Sequence, residues 1–391
     1  MTERTRIQLA VFALIRTIFN TAYRMMYPFL GVFARALGVD LVHMGWALSL
    51  RSLVGGALAP FLSIIPSRRG HRAGMLFGLL MFTASAVLVL LWPTYPVLVL
   101  SIVLGTLGKY IFDPAMQAYL GERVPYERRG LALATTEMGW SFSFIFGIPL
   151  MGFLLARGGW LAPFPALALL GVGTLLALLW LLPASKVRTP RETFWGGFRS
   201  VLTSSTAISG LMVGFLASGA NEVVNLVFGV WLEDSFALKI TALGGAAAVI
   251  GLSELGGEGL TALLADRLGK KNAVRLGLLS NALAAALLPI LGRSIPGALV
   301  GLFFFYITFE FTLVASIPMM TELLPDARAT LMAFNITALS LGRAAGAPIG
   351  TFSYAYGIGI SVTCAILLNG LALLALQYVR EAGTSRYNHN V

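Results

Sequence analysis

Charge is what this 391-residue chain has least of: Asp, Glu, Lys and Arg make up 12% of it, against 57% apolar residues. A water-soluble domain screens its apolar side chains behind polar ones, and too few polar ones exist here to do that. Histidine is almost missing, with only His43, His71 and His389, and neither an H-E-x-x-H nor two histidines on one helix face occurs. Zinc hydrolase chemistry therefore has no ligand set. A single cysteine, Cys364, excludes a disulfide framework or a thiolate metal cluster within one chain. No G-x-x-x-x-G-K-[ST] is present, since Leu264 to Lys271 imitates only its end, so a nucleotide-driven pump is disfavoured. No metal, no cofactor and no enzymatic reaction are expected.

What the chain does have is long apolar runs. Spanning a hydrocarbon core takes about 20 apolar residues. Runs bounded by Pro, Gly and charge clusters fall near 7–34, 42–65, 73–92, 96–120, 131–155, 161–183, 205–231, 240–264, 272–292, 297–323, 329–355 and 359–379. They read as twelve transmembrane helices, because backbone groups in lipid must be satisfied within their own segment and the runs are too long for barrel strands. Arg16 and Arg24 interrupt the first run, and no small-residue cleavage site precedes Pro28, so it reads as a span and not as a signal peptide.

The net charge of +11 would point to nucleic acid in a soluble protein. Here it sits between apolar runs, and no nucleic-acid partner is expected. One set of alternate loops collects most of the Lys and Arg, including Arg68, Arg69, Arg72, Lys186, Arg188, Lys270 and Lys271; the other holds only Arg35, Arg157, Lys239 and Arg293. By the positive-inside rule both termini lie in the cytoplasm of a bacterial cell whose inner membrane the chain spans.

The two parts of the chain repeat each other. Glu122-Arg123-Val124-Pro125 with Arg128 matches Glu322-Leu323-Leu324-Pro325 with Arg328. Gly147-Ile148-Pro149 matches Gly346-Ala347-Pro348, and Ser67-Arg68-Arg69-Gly70-His71-Arg72 matches Asp266-Arg267-Leu268-Gly269-Lys270-Lys271. Three matches at nearly one offset, 200 residues for the first and 199 for the others, imply a duplicated six-helix unit, and an even number of spans keeps both copies in the same orientation. The expected organisation is a bundle over 1–183, a polar linker over 184–204 and a second bundle over 205–391.

On these residues the whole chain resembles the major facilitator superfamily. The family's loop signature G-x-x-x-D-R-x-G-R-R falls between its second and third helices, with a weaker copy between the eighth and ninth. Here the fuller copy is the second, around Asp266, Arg267 and Gly269. The first keeps Arg68 and Gly70 but has Ser67 where the acid stands. The resemblance implies an all-α membrane fold of two pseudo-symmetric six-helix bundles, with these loop residues, and Arg343 in the eleventh span, acting as a conformational gate. The runs Gly147 to Gly152 and Gly342 to Gly350 partly match the family's antiporter signature, which implies export; close helix packing and a proline kink explain the same residues.

Charges inside spans cost roughly 2.5 to 3.5 kcal/mol each on insertion scales, so each needs a partner, a cavity or a function. Arg16, Asn20, Arg24 and Tyr27 form one stripe on the first helix; Lys109, Asp113 and Gln117 form another on the fourth. Ser218, Asn221, Glu222 and Asn225 share a side of the seventh, as Tyr306 and Glu310 do on the tenth. The resemblance implies that these four helices line a central cavity. Substrate contacts are then expected at Arg16, Asn20, Arg24, Arg51, Lys109, Asn221, Asn225 and Tyr306, with the cations attracting an anionic group, and proton coupling at Glu222, Glu254 and Glu310. The competing explanation is structural pairing, above all Lys109 with Asp113 at i,i+4, and local hydrogen bonding at Glu137 and Glu258 near span ends.

The function implied is secondary transport by alternating access, proton-coupled export of small amphipathic or anionic compounds by a monomer. A flippase for lipid or lipid-linked headgroups is an alternative, as are, from other classes, an intramembrane enzyme and a non-transporting receptor. One architecture hosts many substrates, so the resemblance does not decide among them.

Overall fold

A computed structural model describes residues 3–62, 70–183 and 194–379. Arg68 of the first loop motif, residues 184–193 of the expected linker, and both chain ends lie outside the described residues. Those described are helical nearly throughout: α1 Glu3–Arg24, α2 Leu30–Leu37, α3 Leu41–Leu62, α4 His71–Leu91, α5 Tyr95–Arg123, α6 Tyr126–Phe142, a π turn Ser143–Gly147, α7 Ile148–Gly158, α8 Pro163–Leu181, α9 Phe194–Thr203, α10 Ser205–Phe236, α11 Ile240–Leu268, α12 Lys270–Leu291, α13 Ile295–Leu323, α14 Arg328–Tyr354 and α15 Ile358–Gln377.

Twelve of the apolar runs are recovered, two of them interrupted. The first divides into α1 and α2 around Pro28, which has no N–H to give the helix ladder. The fifth runs α6, π turn, α7, with Pro149 just beyond the widened turn. Among the described residues nine helical stretches are long and apolar enough to cross a membrane by length and composition, α6 from Ala132 through the π turn and α7 counting as one. The first, second and eleventh spans are not among them; they carry Arg16 and Arg24, Arg51, and Arg343. Large apolar side chains such as Leu169, Trp180 and Leu367 stand fully outward, as lipid contact requires and water would penalise. Helix α9 is short and was expected as linker.

The described residues form two compact units, one of 1–191 with 233–251, the other of 192–232 with 252–391. In the first, α4 packs on α5 and α8, α1 packs on α6, and α3 on α5. Gly78 and Gly108 let α4 and α5 touch backbone to backbone: a Cβ on either would sit 2.5 Å from the other's carbonyl oxygen. In the second unit, α12 packs on α13 and α15 around Val274, Leu278, Met319 and Leu376. The third helix of each set thus holds the fourth and the sixth.

Both loop motifs end in the same device. Gly70 and Gly269 take the left-handed φ values +88° and +78°, which a side chain would strain, and start α4 and α12. The next residue reaches the fourth helix of its set: His71 Nε2 lies 3.3 Å from Glu122, and Lys270 pairs with Glu322. The residue after that caps the sixth: Arg72 donates to Leu179 O at 2.9 Å, and Lys271 to Val379 O at 2.5 Å. Asp266 and Arg267 are exposed at the end of α11. At the opposite end of the first unit Asp40 caps α3. Its carboxylate accepts the backbone N–H of His43 at 2.7 Å, and that bond holds its pKa below the ordinary carboxylate value.

Candidate functional site

Arg16 is buried at the middle of α1, and the first unit supplies it with two carboxylates from two helices. Its Nη1 lies 2.5 Å from Glu137 Oε1 on α6, and its Nε 3.3 Å from Asp113 Oδ1 on α5. Lys109, one turn before Asp113, takes the other oxygen of the same carboxylate. Gln117 donates to Glu137 at 3.3 Å. Two cations and two carboxylates therefore form one connected cluster of three helices. Isolated in hydrocarbon, any one of them would be far costlier. The i,i+4 pairing of Lys109 with Asp113 is present, and Arg16 joins it. Glu137 bonds across helices and not locally.

Eight residues along the same helix, Arg24 is held differently. Its guanidinium lies 3.6 Å from the Phe144 ring centroid and 4.1 Å from that of Trp140, and Nη1 donates to Trp140 O at 3.1 Å. The π turn explains the carbonyl: widening the helix after Trp140 disturbs the ladder there, and the Ser143 hydroxyl and Arg24 take the oxygen up. Thr21 lies against Gly147 at the end of that turn, where no Cβ would fit. Arg51 on α3, 1% exposed, stacks 3.8 Å over Tyr23 and donates to Tyr23 O and Tyr27 Oη, each at 2.7 Å. Between Arg16 and Arg24, Asn20 is fully buried, and neither of its amide atoms has a hydrogen-bond partner. An amide so placed costs about 1–3 kcal/mol per group.

The second unit is acidic where the first is basic. Glu222 on α10, Glu254 on α11 and Glu310 on α13 are all buried, Glu222 to 1% exposure. Tyr306 donates to Asn225 Oδ1 at 2.8 Å, joining α13 to α10. Asn221 is buried with its Oδ1 lacking a hydrogen bond. Arg343 on α14 is half-buried. Glycines let these acids pack deep: a Cβ at Gly257 would meet Glu310 Cβ at 2.7 Å, and one at Gly346 would meet Glu222 Cβ at 2.9 Å.

The spacing pattern did not bring Asp113, Glu137 and Trp140 to the arginines. Its signal was present: Glu137, Trp140 and Phe144 recur at helical intervals, facing the stripe of α1. No group of three or more metal-ligating side chains occurs among the described residues.

Comparison with known proteins places this geometry. The family model described as Major Facilitator Superfamily matches residues 12–347 and again 210–388. The chain is 27% identical over 356 residues to the inner membrane transport protein YdhP of Escherichia coli, covering 88% of each. It is 31% identical over 185 residues, 46% of this chain and 44% of that one, to the multidrug resistance protein MdtH of Cronobacter sakazakii. Among solved structures, a D-xylose-proton symporter superposes with a TM-score of 0.74 at 18% identity, covering 95% of this chain and 97% of that one.

Proposed function

Since the chain belongs to the major facilitator superfamily and is a secondary transporter of the inner membrane, we propose that it exports small amphipathic or anionic compounds in exchange for protons. Its halves, 1–183 and 205–391, are joined by 184–204, both termini are cytoplasmic, and transport proceeds by alternating access. The observation that carries this reading is the Arg16 cluster. An anionic group entering beside Arg16 competes with Asp113 and Glu137 for the same guanidinium. Substrate and the proton thus act on one charge network, which couples the movement of one to that of the other.

Arg24 with Trp140 and Phe144 offers a second cation beside aromatic surface, a fit to molecules with an apolar body and a charged end. Asn20, Asn221, Asn225 and Tyr306 supply polar contacts. Glu222, Glu254 and Glu310, the buried carboxylates of the second half, are its proton carriers. The similarity to MdtH supports the direction, export, over less than half of the chain.

The test is flux. The protein is reconstituted in proteoliposomes, a pH gradient is imposed, and movement of anionic and cationic fluorescent amphiphiles is followed. Movement against a concentration gradient, abolished by a protonophore, supports exchange. Flux of every such compound that ignores the pH gradient refutes it.

A further inference from the structure

A cavity of about 30 Å³ lies inside the first unit, between α1, α3, α4, α5 and α8. It adjoins a different face of α1 from the Arg16, Asn20, Arg24 stripe: Phe19, Ala22 and Tyr23 line it. At roughly 10–15 Å³ per water it has room for about two, whereas a drug-sized solute needs roughly 300 Å³ or more. The transported compound is too large for it.

The charged side chains among its lining are both cations. Arg51 and Lys109 both line it, 1% and 7% exposed, and no Asp or Glu is among the lining residues. Lys109 carries three N–H donors, of which Asp113 takes one. The hydroxyls of Ser85, Ser101 and Thr106 give their protons to the carbonyls of Phe82, Ser85 and Ile102, which leaves Arg51, Lys109 and Tyr23 as the other lining side chains that carry polar hydrogens. Phe82 and Phe164 close the rest. Two buried cations around a space of this size, one of them shared with Asp113, favour a compact anion over a cation.

We propose that this cavity binds one small monovalent inorganic anion, of the size of chloride, between Lys109 and Arg51. The ion draws on Lys109, which Asp113 also holds, and Asp113 in turn holds Arg16. Occupancy therefore biases how firmly Asp113 is shared between Lys109 and Arg16, linking the cavity to the Arg16 cluster.

The test uses the purified full-length protein in detergent, and its readout is thermal unfolding, not transport, so it stands apart from the flux assay. Melting is followed in sodium chloride, sodium bromide and sodium gluconate at equal ionic strength, gluconate being too large to enter. A ligand held only by the native state stabilises it by mass action. The melting temperature is expected to rise saturably by a few degrees with chloride and bromide and to stay flat with gluconate. Lys109→Gln should lose the halide response. Ala86→Leu, which fills the cavity and leaves both cations in place, should lose it too, and decides the matter if the lysine variant does not fold. Equal melting in chloride and gluconate for the unaltered protein, or a halide response that survives Ala86→Leu, overturns the proposal.

Discussion

The two units carry the same loop device and opposite buried chemistry. At the loops, a left-handed glycine, a nitrogen-bearing side chain to the fourth helix and a cation to the end of the sixth occur in both, from Gly70, His71 and Arg72 in one and Gly269, Lys270 and Lys271 in the other. Within the spans, the first unit gathers Arg16, Arg24, Arg51 and Lys109, while the second buries Glu222, Glu254 and Glu310. A helix bundle tolerates changes of buried charge as long as its packing positions are kept. The glycines and caps set where helices touch, and the charged positions between them are left to vary with function.

Changing the chemistry should therefore hurt more than changing the loops. Arg16→Ala removes the cation that Asp113 and Glu137 share and is expected to weaken binding of an anionic amphiphile by roughly 100-fold, about 3 kcal/mol, while the protein still folds. Equilibrium binding in detergent measures it, and unchanged affinity would remove Arg16 from the site. In the second unit, Glu310→Gln should leave binding in place and abolish the pH dependence of flux in proteoliposomes. Persistence of that dependence would hand the proton to Glu222 or Glu254.

The packing contacts give an intermediate effect, and the halves should differ. At Gly147 a methyl group meets a threonine side chain, Thr21; at Gly346 it meets the carbonyl oxygen of Gly219 at 2.5 Å and Glu222 Cβ at 2.9 Å. Backbone cannot rotate aside, so Gly346→Ala should lower the melting temperature more than Gly147→Ala, by several degrees. The reverse order would mean that α14 slides on α10 more easily than the π turn yields. Smallest of all is His71→Lys, which copies the second unit's pair with Glu322 into the first. Exposed ion pairs contribute about 0–1 kcal/mol. Little change in melting is expected, and a loss of flux would give His71 a role beyond its pairing with Glu122.

The amount of this that the sequence announced varies by level. Span count, the repeat, and the helical stripes were legible because lipid demands long apolar helices and a helix puts every third or fourth residue on one face. The alternation of basic loops also followed from residue order alone. The π turn was not legible: Ser143 to Gly147 is apolar enough to continue a helix, and the local widening is stabilised by contacts from Thr21 and Arg24, 116 or more positions away for the Arg24 bond. The pairing of Arg16 was hidden for a similar reason. Its partner acids, Asp113 and Glu137, come from distant helices, and Asp113 already had a local partner in Lys109.

By itself the sequence determined the solvent of this protein, its family resemblance, its duplicated frame and the list of buried ionisable groups, because those depend on composition, run length and spacing along one chain. Only the tertiary structure decided which charges neutralise which, that Arg24 rests between two rings, that Asn20 is sealed without a hydrogen bond, and that Arg51 and Lys109 enclose a small cavity. Electrostatic pairing depends on distances of a few ångströms between helices, and spacing along a single helix does not contain them.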